Sequence, residues 1–196
     1  MILRVIRGLG SRDEVAALTT ALATGGDLGT PEGAGLERFH VGWRDAEGLD
    51  RKVVVISYWS SAEAASKGDA NQSSPLAIAR QHLRDVHVAH FEVDDTIRRD
   101  SDDEPVAIRI ATGRFSKPGA DAEMQNLLRQ RAPLIGDEMA EAWVGRRLSG
   151  REVEVTFVSA WRRLPSDLSL EEAFWPDIAL RYDEFAVEVY SAVGVE

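Results

Sequence analysis

Hydrophobic positions in the first part of the chain alternate between the spacing of strands and that of helices. An apolar run from Met1 to Ile6 ends at Gly8, and Val15, Leu18 and Leu22 follow at three- and four-residue intervals. Because apolar residues at that interval line one face of a helix, this segment predicts a strand followed by an amphipathic helix. Further strands are predicted at 36–44, 51–59 and 86–93, and helical turns at 60–67 and 75–84.

The start and the end of the first predicted helix carry separate signals. Ser11 and Glu14 have the Ser-x-x-Glu spacing in which each side chain accepts from the other residue's backbone amide. Gly25 and Gly26 end the helix and open a glycine-rich loop. Because this loop follows a helix instead of joining a strand to a helix, it does not predict a phosphate-binding cradle, and nucleotide binding is not expected.

The second half of the chain repeats the pattern of the first. Four segments have counterparts in the same order, at a steadily decreasing offset: Leu3–Gly8 with Ile108–Gly113, Phe39–Arg44 with Ala142–Arg147, Ile56–Trp59 with Val158–Trp161, and Asp85–Phe91 with Asp183–Val189. Four ordered matches indicate a tandem duplication, whereas a single one would be chance. The second copy predicts a helix at 121–131, a hairpin at 139–148 and 151–161, and a last strand at 185–193.

An acidic segment separates the two copies. Residues 94–105 are almost wholly polar, are dense in carboxylates and end in Pro105. Like charges extend such a segment and leave it little to bury, so it predicts a solvated linker. The predicted division is therefore a first module at 1–94, an acidic linker at 95–105 and a second module at 106–196.

Each copy reads as strand, helix, strand, strand, helix, strand, which is the ferredoxin-like arrangement. The sheet of such a module carries helices on one face only, so its other face needs a partner. We therefore predict an α+β protein in which two tandem ferredoxin-like modules pack sheet to sheet as an intramolecular dimeric α/β barrel. This pseudo-dimer within one chain leaves a further homodimer open.

Composition narrows the classes of partner. The formal net charge of −10 disfavours binding to a phosphate backbone, so no nucleic-acid partner is predicted. No apolar run is long enough to cross a bilayer, and the N-terminus lacks the apolar stretch of a signal peptide, so we predict a cytoplasmic protein without membrane contact. The chain has no cysteine, which excludes disulfides, thiolate catalysis and thiolate metal sites.

The segment Val55–Ala64, which reads VISYWSSAEA, resembles the antibiotic biosynthesis monooxygenase family. The third strand of those dimeric α/β barrels ends in a tryptophan, followed by Ser and by Glu-Ala at the start of a helix. The resemblance implies a cofactor-independent oxygenase that acts on a small aromatic or hydrophobic substrate. In the second copy, Trp161 is kept but the helix start has departed from the pattern.

A haem-degrading branch of that family implies haem as an alternative cofactor. Its members use an Asn on the first strand, a Trp on the second helix and a His near the end of that helix. Here Arg7 and Thr112 occupy the Asn positions, and only His82 matches. The resemblance therefore favours a reaction without a cofactor over haem degradation.

Histidines are the first candidates for catalysis because they exchange protons near neutral pH. All four, His40, His82, His87 and His90, lie in the first copy. His82, His40 and His90 are the candidate proton acceptors, against the alternative of surface or core histidines. His87 and His90 differ by three residues on a strand and so point to opposite faces. No His-x-His or His-x-x-x-His pattern occurs, and no metal site is predicted.

Aromatic residues and one arginine are the candidates for binding substrate. Trp59, Tyr58 and Trp43 would form the wall of an apolar pocket, although the simplest role for Trp59 is to fill the core between helix and sheet. Arg4, inside an apolar strand, would bind a ligand or pair with a carboxylate such as Glu92. Two functions stay open: the oxygenase, and a non-catalytic barrel that binds a small hydrophobic ligand or acts as an interaction module.

Overall fold

The computed structural model describes residues 1–24, 35–71, 74–99, 104–115, 138–149, 152–163 and 182–193, and three single positions at 122, 126 and 130. The helices and strands in these residues are β1 Ile2–Ser11, α1 Arg12–Thr24, β2 Leu36–Asp45, β3 Asp50–Trp59, α2 Ala62–Asp69, α3 Pro75–His82, β4 Arg84–Arg98, β5 Ala107–Phe115, β6 Met139–Ser149, β7 Glu152–Trp161 and β8 Glu184–Val193. The α+β prediction is confirmed, and the eight antiparallel strands and three helices are consistent with the dimeric α/β barrel fold.

The chain divides into two compact units. The first comprises Met1–Glu92 and Tyr190–Glu196, and the second comprises Val93–Val189. Strands β4 and β8 therefore each begin in one unit and end in the other. Since the last strand of each predicted module is split in this way, the compact units do not coincide with the modules read from the sequence.

In the first unit, the strand order is β4-β1-β3-β2, with the end of β8 beside β2. Strand β1 pairs antiparallel with both β3 and β4. Helices α1 and α3 pack on one face of this sheet, where their apolar residues share a core with Ile6, Val41, Val53 and Val55. We call this the helix-covered face. A residue that lies directly opposite Ile6, Val41, Val53 or Val55 on a paired strand projects to the same face.

Local sequence explains where the helices begin. The Ser11 amide donates to Glu14 Oε2 at 2.6 Å and the Glu14 amide donates to Ser11 Oγ at 3.3 Å, which confirms the predicted capping box. Ser61 and Ser74 cap α2 and α3 in the same manner, each accepting from a backbone amide three residues later. Pro75 occupies the first turn of α3, where its missing N–H costs nothing.

The second unit has the strand order β5-β7-β6, flanked by the first part of β8 and the last part of β4. Its described core gathers Ala111, Phe115, Val144, Phe157 and Trp161, among others. The predicted hairpin at 139–148 and 151–161 is found as β6 and β7. The predicted helix at 121–131 lies outside the described residues except for positions 122, 126 and 130, which are helical and exposed.

The predicted linker is wrong in its first part. Strand β4 runs to Arg98, so residues 95–98 continue the sheet. Ile97 packs against the core of the second unit, and Asp94 pairs with Arg146 at 3.2 Å. The acidic composition concealed this strand because its carboxylates have cationic partners that a composition argument does not reveal.

Candidate functional site

Arg4 is the most deeply buried charged residue among those that the sequence singles out. It lies in β1 with no exposed surface. Its Nε donates to Nε2 of His90 at 3.0 Å, and its Nη2 donates to the backbone carbonyl of Ala65 at 2.8 Å. The same Nη2 lies 2.9 Å from Oδ1 of Asp69. The guanidinium therefore ties β1 to β4 and to the last turn of α2, where a cation is favoured by the helix dipole.

Trp59 covers the guanidinium of Arg4. The guanidinium carbon lies 5.0 Å from the centre of the indole ring, which is within the range of a cation–π contact. The indole N–H donates to Ser57 Oγ at 2.9 Å. Gly68 of α2 approaches the ring so closely that a Cβ there would overlap it. The indole is thus fixed by a hydrogen bond on its own strand and by a helix packed against it.

The strand register explains why these residues meet. Arg4 lies opposite Ser57 on β3 and opposite His90 on β4, while Ser57 lies opposite Phe39 on β2. Directly paired residues in antiparallel strands project to the same face, so these four form one row across the helix-covered face. Trp59, two residues beyond Ser57, projects to that face as well.

Burial makes the charge of Arg4 costly. Desolvation lowers the pKa of its guanidinium; Asp69 partly offsets this, and the charge of Arg80 on α3 adds to it. Within the described part of the chain, Nη1 of Arg4 is buried and has no hydrogen-bond partner. A buried donor left unpaired costs ~1–3 kcal/mol, and more when it is charged. An oxygen acceptor on a ligand would remove that cost.

His90 forms a side-chain hydrogen bond with Arg4. Its Nε2 accepts the Nε–H of Arg4, so a neutral imidazole in this arrangement carries its own proton on Nδ1. The side chain lies at the exposed end of the row. The hydrogen bond that His90 accepts therefore helps to hold the guanidinium of Arg4 in position.

His82 lies at the other end of the same sheet. It is the last residue of α3, and the next residue, Leu83, packs over Gly8 and Gly10. Gly8 is four residues from Arg4 along β1, which corresponds to about 13 Å. The structure therefore does not bring His82 together with Arg4.

The remaining predicted site residues are divided between the two faces. His40 lies opposite Ile56, which lies opposite Val5, so His40 and Tyr58 project to the face opposite the helix-covered one. Trp43 shares the helix-covered face but lies opposite Val53, four residues before Ser57, and its ring stacks under Arg51 at 3.5 Å. None of the three joins the row around Arg4.

The second unit contains a similar arrangement. Arg109 on β5 is 5% exposed and lies opposite Ser159 on β7. The indole N–H of the buried Trp161 donates to Ser159 Oγ at 2.8 Å. Arginine, serine and tryptophan thus stand in the same register in both units, whereas the histidine partner occurs only in the first.

Several solved structures resemble this chain over nearly its whole length, including the following three. A candidate monooxygenase from Fusobacterium nucleatum is 14% identical with a TM-score of 0.69, covering 98% of this chain and 92% of that one. A chlorite dismutase variant from Candidatus Nitrospira defluvii in complex with cyanide is 10% identical with a TM-score of 0.59, covering 99% and 91%. An anthrone oxidase-like protein is 13% identical with a TM-score of 0.56, covering 98% and 92%.

This chain shares the fold of these proteins. At such low identity the likeness concerns the fold alone. No family model matches the sequence, and no curated protein matches it. The shared fold supports the predicted architecture and leaves the reaction to be argued from the residues.

The described residues offer neither a metal-binding cluster nor a membrane-spanning helix. No group of three or more His, Asp or Glu side chains in the described ranges is placed to hold a metal ion. None of the helices in the described part of the chain has the length and apolar character that a membrane span requires. The cytoplasmic location stays a prediction.

Sequence reasoning identified Arg4, Trp59 and His90 but missed Ser57, Asp69 and Gly68. The serine had a visible signal, because Ser-x-Trp occurs at the end of the third strand of both copies. Asp69 had none, since it falls just beyond the predicted helix and resembles any exposed carboxylate. The predicted alternative partner, Glu92, lies opposite Ile2, and the ion pair of Arg4 is formed by Asp69.

Proposed function

We propose that this chain is a cofactor-independent oxygenase of the antibiotic biosynthesis monooxygenase type, acting on a small aromatic substrate that carries an oxygen acceptor. The substrate would bind at Arg4 on the helix-covered face of the first unit. The observation that carries this proposal is the buried Nη1 of Arg4, which has no partner among the described residues. Buried polar groups in native proteins are satisfied, and a ligand oxygen would satisfy this one.

The surroundings of Arg4 suit an aromatic ligand with an ionisable oxygen. Trp59 offers an indole surface beside the guanidinium. Arg4 is a fixed cation in a low-dielectric site, so it favours the ionised form of a bound enol or phenol over the neutral form. We assign none of the three predicted histidines to proton removal at Arg4. His90 is hydrogen-bonded to Arg4, His40 projects to the other face of the sheet, and His82 ends α3. The proton would pass to solvent.

The reaction needs no external reductant. For a methylene that lies between two aromatic rings and is conjugated through them with a carbonyl across the central ring, ionisation gives an enolate whose oxygen pairs with Arg4. Dioxygen takes electrons from the carbanion carbon and forms a C–O bond there, giving a peroxide. Loss of water from the peroxide leaves a carbonyl, so one CH2 group and one O2 become one C=O group and one H2O. The substrate supplies all the electrons.

Anthrone is the probe that tests this proposal, because it has that methylene and because an anthrone oxidase-like protein shares the fold. Oxygen uptake and anthraquinone absorbance would be measured above the autoxidation blank, with EDTA present. We expect turnover by the native chain and at least a tenfold lower kcat/KM for Arg4→Gln, since a hydrogen bond to a charged group contributes ~1.5–3 kcal/mol.

Two variants complete the test. Arg109→Gln removes the corresponding arginine of the second unit and is expected to keep native activity. Arg4→Lys keeps the positive charge but loses the planar guanidinium and its paired N–H donors. It therefore tests the proposal even if Arg4→Gln does not fold. Equal rates for the native chain and both Arg4 variants, or no turnover above the blank, would refute the proposal.

We further propose that the chain arose by tandem duplication within that family. The support is the matched register of Arg4 with Ser57 and of Arg109 with Ser159, together with the same indole–serine hydrogen bond in each unit. Because the buried Nη1 that the substrate would satisfy belongs to Arg4, the proposed reaction is assigned to the first unit.

The second candidate function is a non-catalytic barrel that binds a small hydrophobic ligand. It is favoured by the same occupied Nε2 of His90, since the row around Arg4 then lacks a free base. Binding of an aromatic acid that depends on Arg4, with no oxygen uptake from anthrone or a phenol panel, would select this function over the first.

Haem fits these residues poorly. Arg7, at the position of the family's asparagine, lies opposite Val54 and His87, on the face opposite the helix-covered one. His82, the one matching residue, is the last residue of α3, which packs on the helix-covered face. The two positions that would flank a haem are thus on different sides of the sheet, and we derive no step through it.

A further inference from the structure

We infer that His90 is a positioning residue that aims Arg4, and that ligand binding at Arg4 weakens in acid as His90 takes up a proton. This inference rests on the proposed function, because it concerns the regulation of the same site. It assigns to His90 a role different from the proton acceptor that the sequence suggests.

The geometry of the guanidinium makes its orientation depend on His90. The group is planar, so its orientation is set once two of its nitrogens are held. Nη2 is held by Ala65 and Asp69 on α2, and Nε is held by His90 on β4. These contacts fix the direction in which Nη1 points. Without the bond at Nε, the plane is free to turn about the contacts at Nη2.

Protonation of His90 breaks the contact at Nε. An imidazolium carries N–H groups on both nitrogens, so its Nε2 no longer accepts from Arg4 and faces it with a like charge. His90 is exposed, and protons from solvent reach it directly. The hydrogen bond is therefore present when His90 is neutral and is lost when His90 is protonated.

Charged groups on each neighbouring element act on this balance. Asp69 on α2 and Glu92, two residues beyond His90 on the same face of β4, favour the protonated histidine. Arg4 on β1, which lies within hydrogen-bond distance of His90, opposes it, and Arg80 on α3 acts on Arg4 by lowering the pKa of its guanidinium. The cation of Arg4 lies within hydrogen-bond distance of His90, whereas solvent screens the exposed carboxylate of Glu92. Repulsion between Arg4 and a protonated His90 therefore outweighs the attraction of Glu92, and Arg4 is released when His90 is protonated.

The chain provides matched controls. His87 is an exposed histidine on the same strand, three residues from His90, but it lies opposite Arg7 on the other face of the sheet. The second module contains no histidine, so no histidine of that module can pair with Arg109. Replacement of His90 by glutamine offers an amide oxygen as acceptor that does not titrate near neutral pH.

The experiment is a titration of the full chain with 1-naphthoate, whose carboxylate stays ionised between pH 8 and pH 5. We expect the native chain and His87→Gln to lose affinity about tenfold over that range, and His90→Gln to change less than about twofold. His90→Leu is expected to bind weakly at both pH values. The same affinity at both pH values for the native chain, or the same pH dependence for His90→Gln, would overturn the inference.

A second readout needs no ligand. The Arg4 side-chain Nε–H, observed by 15N NMR, should be protected from exchange at pH 8 and lose that protection at pH 5 in the native chain. The His90→Gln variant should keep it at both. If this pattern appears but 1-naphthoate does not bind, the positioning role holds and the proposed function fails. If 1-naphthoate binds through Arg4 but the protection of the Arg4 Nε–H from exchange is the same at pH 8 and pH 5, the inference fails and the proposed function stands.

Discussion

Trp59 donates its indole N–H to Ser57, two residues earlier on the same strand, at 2.9 Å. This bond lies in the interior, since Trp59 is 1% exposed and Ser57 is fully buried. It orients the indole against Arg4, and the same bond links Trp161 to Ser159 in the second unit. The Ser-x-Trp pair, which occurs in both copies of the sequence, thus sets the wall of the candidate site.

Removal of the serine hydroxyl should destabilise the protein. Ser57→Ala leaves a buried indole N–H without its acceptor, which costs ~1–3 kcal/mol. Urea unfolding followed by circular dichroism measures this loss. Ser159→Ala is the matched control in the second unit and should cost a similar amount while leaving ligand binding at Arg4 unchanged. Native stability of Ser57→Ala would show that the bond contributes nothing.

A methyl group at Gly68 should disturb Trp59. In most helices Gly→Ala stabilises slightly, but here the added carbon would overlap the indole ring, so we expect a net destabilisation of ~1–3 kcal/mol. The near-ultraviolet circular dichroism of the indole should change as well. Gly48→Ala is the control: its φ of +80° makes the substitution strained, but nothing lies within 4 Å of the new carbon, so the indole signal should not change.

Acid should weaken the cap of α1. The Ser11 amide, and then the Ser11 hydroxyl, hold the pKa of Glu14 below its usual value of 4.5. Because the folded pKa is the lower one, the stabilisation is complete above about pH 4.5 and is lost as pH falls through the folded pKa. Glu14→Gln should therefore lower Tm at pH 7 and show a smaller further loss at pH 3 than the native chain. Parallel losses in both proteins would contradict this assignment.

Haem should not bind as a histidine-ligated cofactor. Because Arg7 and His82 lie on different sides of the sheet, we expect haemin added to the purified chain to keep the Soret band of the free compound. His82→Ala should give the same spectrum. A shifted Soret band in the native chain that disappears in His82→Ala would revive the haem alternative.

Most of the fold could be predicted because its signals are local. The hairpin of β2 and β3, the box at Ser11 and Glu14, and the alternation along β1 each depend on residues close in sequence. The second half of β4 could not be predicted, since the apolar partner of Ile97 and the cation beside Asp94 are distant in the chain.

The candidate site was predicted only in part. An arginine inside an apolar strand implied a partner, but the choice between Glu92, Asp69 and a ligand depends on strand register and on where α2 ends. Register also decides that Tyr58 and His40 project to the other face from Trp59 and His90. A one-residue shift would reverse that assignment, and nothing in the composition fixes it.

The central claim is that Arg4 is the ligand-binding arginine of this chain. Its most direct test is a 15N NMR titration of the arginine side chains with 1-naphthoate at pH 8, using Arg4→Lys and Arg109→Lys to assign the signals. We predict that the Arg4 signals shift to saturation and that those of Arg109 do not. Unchanged Arg4 signals, or equal shifts at both arginines, would contradict the claim.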